Sequence, residues 1–208
     1  TPFPLAYDLQ RQYWIIQHLY VQQDGMYQNR QKRCDDRIVS ISQPHVRPIV
    51  RGKASKKTEF GAKISVSMNN GLAFVDHIGW DAFNESTDLK QQVEEYQRRF
   101  GYYPEVVLAD QLYGSRDNRK YLKEKGIRFG GKALGRPPKE TAENSEKIRA
   151  MKKQRIQDCR ERIPIEGKFG QGKNGYRLNY IRAKLQKTSE AWISCIFLVM
   201  NLMALLKK

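Results

Sequence analysis

The chain has 208 residues, 38 Lys and Arg against 22 Asp and Glu, a formal net charge of +16 and a pI near 9.8. With 39% hydrophobic, 29% charged and 11% aromatic residues it can build one domain with a core, which excludes a disordered tail. The cationic excess favours a polyanionic partner, nucleic acid first, over a basic surface kept for solubility or a membrane, and three dispersed cysteines (Cys34, Cys159, Cys195) point away from a disulfide framework or a zinc site and towards a reducing compartment.

The start, TPFPLAYDLQRQ, has no secretory signal and no initiator Met, so the sequence is expected to be a fragment. Apolar positions at helical spacing (Leu5, Leu9, Tyr13, Ile16, Leu19, Tyr20) predict an amphipathic helix over 5–23, ending before Asp24 and Gly25. With the charged linker 29–36, NRQKRCDD, residues 1–36 read as the tail of an upstream helical region, and 37–208 as the main domain. Residues 37–41, RIVSI, predict a short strand or extended segment. In 43–53, QPHVRPIVRGK, two prolines exclude a regular helix and leave an extended basic loop carrying Arg47, Arg51 and Lys53.

Residues 60–68 and 72–80 flank Asn-Asn-Gly and predict a hairpin, because Asn-Gly suits the positive φ of a tight turn. A helix is expected over 87–100, with Thr87 as cap, Leu89, Val93 and Tyr96 on its apolar side, and Gly101 and Pro104 as its stop. The segment PEVVLADQLY then gives a buried strand over 106–109 ending on Asp110. A helix over 115–125, closed by Gly126, and a strand over 127–129 follow. Hairpin, helix, strand, helix, strand is the order of an α/β fold with a mixed sheet and helices on its faces.

A Gly/Pro loop occupies 130–138 and a charged, helix-prone stretch 139–160. The apolar run 191–206, AWISCIFLVMNLMALL, is shorter than the ~20 residues of a bilayer span and contains Asn201, which favours a buried terminal helix over a membrane helix. Thr188 and Ser189 are its expected caps, and Lys207 and Lys208 suit its carboxyl end.

A strand-final Asp is a common way of delivering a metal ligand to an active-site rim, which makes Asp110 the first candidate. The second lies in CRERIPIEGKFGQGKNGY: Arg162, Glu166 and Lys173, spaced by four and seven, share one face of a helix. They could orient a carboxylate against a phosphodiester, or form a solvated, salt-bridged face. Pro164, Gly167, Gly170 and Gly172 weaken the helix, although glycine also allows close approach of DNA. His18, His45 and His77 have no metal-ligand spacing. Asp76 and Asp81 read as strand end and helix cap, and Tyr113 as packing or stacking beside Asp110.

Residues 37–208 resemble the carboxyl-terminal catalytic part of DDE-type insertion-sequence transposases of the insertion-sequence four and five group. The segments RIVSISQPHVRPIVRGKASKKTEFGAKIS, VVLADQLYGSRDNRKYLKEKGIR and RIPIEGKFGQGKNGYRLNYIRAKL, followed by TSEAWISCIFLVMNL, carry the resemblance. It implies an RNase H-like mixed sheet with flanking helices, an amino-terminal helix and a carboxyl-terminal apolar helix. It also implies two Asp and one Glu holding two Mg²⁺ or Mn²⁺ ions. Asp110 matches the second Asp and Glu166 the Glu, both as catalytic and metal-binding residues, with Arg162 and Lys173 on DNA phosphates. The family's Tyr three positions before the Arg is Cys159 here.

The first Asp has no counterpart in a strand preceding the hairpin, and is expected upstream of Thr1. Two-metal chemistry needs one ion to activate the attacking oxygen and one to stabilise the leaving oxygen, ~3.5–4 Å apart. The sequence therefore predicts a DNA transposase cutting and joining double-stranded DNA at the terminal inverted repeats of its element, present as a piece that does not cleave DNA alone. A non-catalytic basic DNA-binding remnant and a nuclease on the same fold are the alternatives. A homodimer at paired DNA ends, no membrane, and a cytoplasmic, nucleoid-associated location in a bacterium or archaeon complete the expectation.

Overall fold

The computed structural model describes residues 3–50, 58–136 and 139–206. The chain divides into two compact units, one of 1–64, 78–83 and 180–195, the other of 65–77, 84–179 and 196–208.

In the first unit, helix α1 (Tyr7–Gln28) runs through Asp24 and Gly25 instead of stopping before them. A glycine inside a helix costs about 1 kcal/mol, and here burial of Met26 in the next position offsets it. The helix stops where Asn29 returns its side-chain amide and its backbone N–H to the Gly25 carbonyl, at 2.8 and 3.1 Å. The stretch 37–41 is irregular and not a strand. Its backbone is held by Gln22, which accepts from Ile38 N at 3.0 Å and donates to Asp36 O at 3.2 Å. Part of the basic loop is a strand: β1 (Pro48–Val50) pairs antiparallel with β2 (Thr58–Phe60), and Pro48 takes the first strand position, where a missing N–H is tolerated. Val46, Ile49, Trp80 and Ile193 are buried in this unit. The Trp80 indole donates to Glu190 Oε1 at 2.9 Å.

The predicted hairpin forms from β3 (Lys63–Asn69) and β4 (Leu72–Gly79), with Asn70 at φ 50° and Gly71 at φ 80° in the turn. In the second unit, helix α2 (Leu89–Phe100) is entered through a 3₁₀ turn (Glu85–Asp88). The cap is therefore Asn84, whose side chain accepts from Ser86 N, and not Thr87, whose hydroxyl donates to Asn84 O. Gly101, at φ 82°, ends α2 as expected.

Strand β5 (Val106–Val107) pairs parallel with β6 (Arg128–Phe129), and α3 (Arg116–Glu124), capped by Ser115, joins them. Leu89, Val93, Leu122 and Ile127 form the core between α2, α3 and these strands, with Tyr103, Val107, Tyr113, Tyr121 and Phe129 around it. Among the described residues the strands make three two-stranded sheets beside five α-helices. The fold is α/β as predicted, and these sheets are smaller than the single mixed sheet expected.

Helix α4 (Ser145–Gly175) continues through Pro164 and the glycines. Packing outweighs the poor propensity: Phe169 meets Phe197 edge-on at 6.2 Å, and Gly172 is buried where a Cβ would lie 3.0 Å from Leu178 Cδ2. Helix α5 (Gln186–Leu205) starts five residues before the apolar run, so Thr188 and Ser189 are inside it and their hydroxyls return to Leu185 O and Ala183 O. At 20 residues it is, among the described residues, the one helix long and apolar enough to cross a membrane. Its Asn201 side chain accepts from Ala73 N at 2.8 Å and donates to Ala73 O at 2.7 Å, which accounts for an amide inside an apolar run. Ile193, Ile196, Phe197 and Met200 are buried, while Leu198, Val199, Leu202 and Leu205 remain exposed. Lys207 and Lys208 lie outside the described residues.

Candidate functional site

Asp110 leaves β5 after Leu108 and Ala109 and caps the 3₁₀ turn Gln111–Tyr113, accepting from Gln111 N at 2.6 Å. Its side chain is exposed. The turn beneath it is fixed by buried groups. Asn118, buried on the first turn of α3, donates its amide to Tyr113 O at 2.9 Å and to Ser86 O at 2.7 Å. Asp88, also buried, accepts from the Ser65 hydroxyl at 2.5 Å and faces His77 Nδ1 at 3.0 Å. Burial pushes the Tyr113 phenol up, and the neighbouring carboxylates of Glu85, Asp88 and Asp110 push it further. Tyr113 is thus partly buried packing, wedged among carboxylates.

The α4 residues fall where their spacing predicts. Taking ~100° per residue, the buried positions Asp158 and Gly172, with the half-buried Ile165 and Phe169, define the packed side of the helix, and Arg162, Glu166 and Lys173 lie about 40–80° round from Asp158 on one flank. Arg162 Nη1 pairs with Glu166 Oε1 at 3.0 Å, with side chains 33% and 60% exposed, and Lys173 is exposed in the last turn of the helix. Cys159 is exposed on the same helix.

The rotation of α4 is set by a pair that the sequence reading missed. Arg128 on β6 reaches Asp158 with both terminal nitrogens, Nη1 to Oδ2 at 2.6 Å and Nη2 to Oδ1 at 2.8 Å, and Gln154 adds a third donor at 3.0 Å. These donors hold the Asp158 carboxyl below the usual carboxylate range, the Arg128 hydrogen bonds first. Gly130, whose N–H bonds Val107 O at 2.9 Å, sits so close that a Cβ there would overlap Leu108 and lie 3.1 Å from Asp158 Oδ2. The clamp ties α4 to β6, whose partner strand β5 ends at Val107, three residues before Asp110. Asp158 is the acid in an otherwise cationic stretch, KKQRIQDCR, and a lone acid at that place was the available signal.

Among the described residues, no group of three or more His, Cys, Asp or Glu side chains is placed to hold a metal ion. Asp110 bonds its own turn and Glu166 pairs with Arg162. Asp76 is buried, its side chain 1% exposed and paired with Arg99 at 2.9 Å, with Gln92 donating at 3.1 Å. Arg47 turns its guanidinium onto Pro44 O at 2.5 Å, with its side chain 21% exposed and Asp36 and Asp81 at 3.8 and 3.9 Å. Arg51 and Lys53 lie outside the described residues. His45 packs edge-on to Trp80 at 4.3 Å, and burial, with Arg47 beside it, pushes its imidazole down.

A family model, transposase DDE domain, matches residues 107–203, somewhat under half of the chain, and that span contains Asp110, Arg162, Glu166 and Lys173. No curated protein and no solved structure matches the chain.

Proposed function

We propose that this chain is part of a DNA transposase, with Asp110 and Glu166 as two of its catalytic carboxylates and Arg162 and Lys173 as contacts to the DNA backbone. The observation that carries the reading is the transposase DDE domain match, which spans both carboxylates and both cations. The finer assignments are the insertion-sequence four and five group, an RNase H-like arrangement, action as a homodimer on double-stranded DNA at terminal inverted repeats, and a cytoplasmic, nucleoid-associated location. They rest on the Arg-x3-Glu-x6-Lys spacing, the helix and strand order, and the net charge of +16.

The residues here bind and orient. A surface i,i+4 pair such as Arg162–Glu166 is worth about 0.3–0.5 kcal/mol, so a phosphate can draw Arg162 away at small cost and leave Glu166 open. The divalent ions, Mg²⁺ or Mn²⁺, belong to a centre with a third carboxylate, and Asp110 and Glu166 without it hold at most a weak site. The chain alone therefore does not cut DNA. The second reading, a basic DNA-binding remnant without chemistry, is favoured by the same Arg162–Glu166 pairing at 3.0 Å.

The test is binding of the purified chain to duplex DNA over a range of salt, with and without charge reversal at Arg162 and Lys173. A steep loss of affinity with salt, reduced by the reversals, is expected. An unchanged slope would overturn the backbone contacts, and robust Mg²⁺-dependent nicking by the chain would overturn the incomplete centre.

A further inference from the structure

We propose that the amino-terminal half of α4, residues 145–160, is a separate binding surface for the phosphate backbone of duplex DNA, carried by Arg149, Lys153 and Arg160. It rests on the DNA-binding reading above and assigns to it a surface that Arg162 and Lys173 do not include. Six of these sixteen residues are Lys or Arg and two are acidic. One of the acids, Asp158, is buried on Arg128, which leaves Glu146 as the exposed one.

From 146 to 160 every residue but Ile148 and Asp158 is exposed, so this half of the helix stands in solvent on most of its circumference. At ~100° per residue, Arg149, Lys153 and Arg160 fall within about 40° of the direction opposite Asp158. The side turned away from the packed unit therefore carries a row of three cations, with the exposed Ile156 beside them. From Arg149 to Arg160 the row runs about 16 Å at ~1.5 Å per residue, close to five steps of a DNA strand at ~3.4 Å each. A helix ~10–12 Å across also fits along a major groove ~12 Å wide.

Two other uses of such a stripe fit less well. A helix face kept for solubility is laced with acids three or four residues from its cations. Lys153 and Arg160 have no acid at those spacings, and Arg149, which has Glu146, forms no ion pair with it. Among the described residues Arg149, Lys153, Arg155 and Arg160 make no ion pair, and Lys152 has only Glu140 at 3.4 Å. A membrane-surface helix needs a continuous apolar face. Met151 lies near the Asp158 side while Ile156 and Ile163 lie on the opposite side, so no such face exists. Unpaired cations without an apolar stripe match a phosphate backbone.

The experiment compares the full chain with R149E/K153E/R160E, the neutral R149Q/K153Q/R160Q and the charge-preserving R149K/K153R/R160K. The readout is affinity for a short duplex of arbitrary sequence as salt is raised, and R162E/K173E is run beside them. The side chains are exposed, and circular dichroism checks that each variant keeps its helix content. Each lost contact lowers the slope of log affinity against log salt by about 0.9, so the reversal and neutral variants should lose about 2–3 in slope while the preserving variant keeps it. A wild-type slope in both charge-removing variants, with R162E/K173E still weakened, overturns this surface and leaves the transposase reading standing. A wild-type chain that shows no salt-dependent duplex binding overturns both. Binding to phosphatidylserine vesicles but not to duplex overturns the choice of DNA.

Discussion

The Arg128–Asp158 clamp gives the sharpest test of how α4 is held. In Arg128→Met the aliphatic stem stays and the guanidinium goes, leaving a carboxylate whose side chain is 5% exposed with Gln154 at 3.0 Å as its one remaining donor. Removing one partner of a fully buried pair costs about 3–5 kcal/mol. Arg128 is itself 46% exposed, so water reaches the space it leaves, and about 2–3 kcal/mol is the expected loss. Asp158→Asn keeps the shape and frees a half-exposed arginine that water can solvate, so it should cost less, about 1–2 kcal/mol. Because the two groups act on each other, the double variant should lose at least ~1 kcal/mol less than the sum. Urea unfolding of the four proteins at neutral pH measures all three quantities. Losses under ~0.5 kcal/mol, or strict additivity, would refute the clamp. Acid supplies a further check. The folded carboxyl lies below its unfolded value of ~3.9, so its contribution is whole above that value and is lost as pH falls through the folded one. The stability gap between the natural protein and Asp158→Asn should therefore be flat above ~pH 5 and close below ~pH 4.

Three further substitutions probe the supports around the same unit. Asn118→Ala strips donors from the Ser86 and Tyr113 carbonyls and should lower stability by about 1–3 kcal/mol in urea unfolding. Asn201→Leu should lower it by about 2 kcal/mol despite greater hydrophobicity, because Ala73 N and O lose both partners; a stabilised variant would show that the amide has no such role. Gly130→Ala should cost more than ~1 kcal/mol, since the added methyl meets Leu108 and Asp158, and a thermal midpoint equal to that of the natural protein would contradict the close approach.

What the sequence disclosed follows the range of the forces involved. The Asn70–Gly71 turn and the Gly101 and Gly126 stops are decided by neighbours a few residues away, and local patterns found them; the strands expected over 106–109 and 127–129 form only at 106–107 and 128–129, and the first is half-buried rather than buried. The limits that failed were decided at a distance. α1 passes Gly25 because Met26 is buried, and α4 passes Pro164 and the glycines because Phe169 and Gly172 pack against Phe197 and Leu178. The segment 37–41 had strand-like composition but takes its hydrogen bonds from Gln22 instead of a strand. Arg162, Glu166 and Lys173 were legible because a helix has one period, whereas Arg128 with Asp158 and Ser65 with Asp88 join residues 30 and 23 positions apart.

That difference has a consequence for Arg162. Asn118, which holds the turn after Asp110, and Asp158, which anchors the helix that carries Glu166, are buried and hydrogen-bonded, while the Asp110 and Glu166 carboxylates stand towards solvent. Stability and nucleic-acid contact should therefore separate by residue. Arg162→Gln breaks an exposed i,i+4 pair and should change unfolding free energy by less than ~0.5 kcal/mol. Its effect on duplex binding should be a fall of about 0.9 in the salt slope, the loss of one phosphate contact. Asn118→Ala should do the reverse, losing stability and keeping the slope under conditions where it remains folded. If Arg162→Gln destabilised the fold by more than ~1 kcal/mol and left the slope untouched, Arg162 would be a structural partner of Glu166 and not a hand laid on DNA.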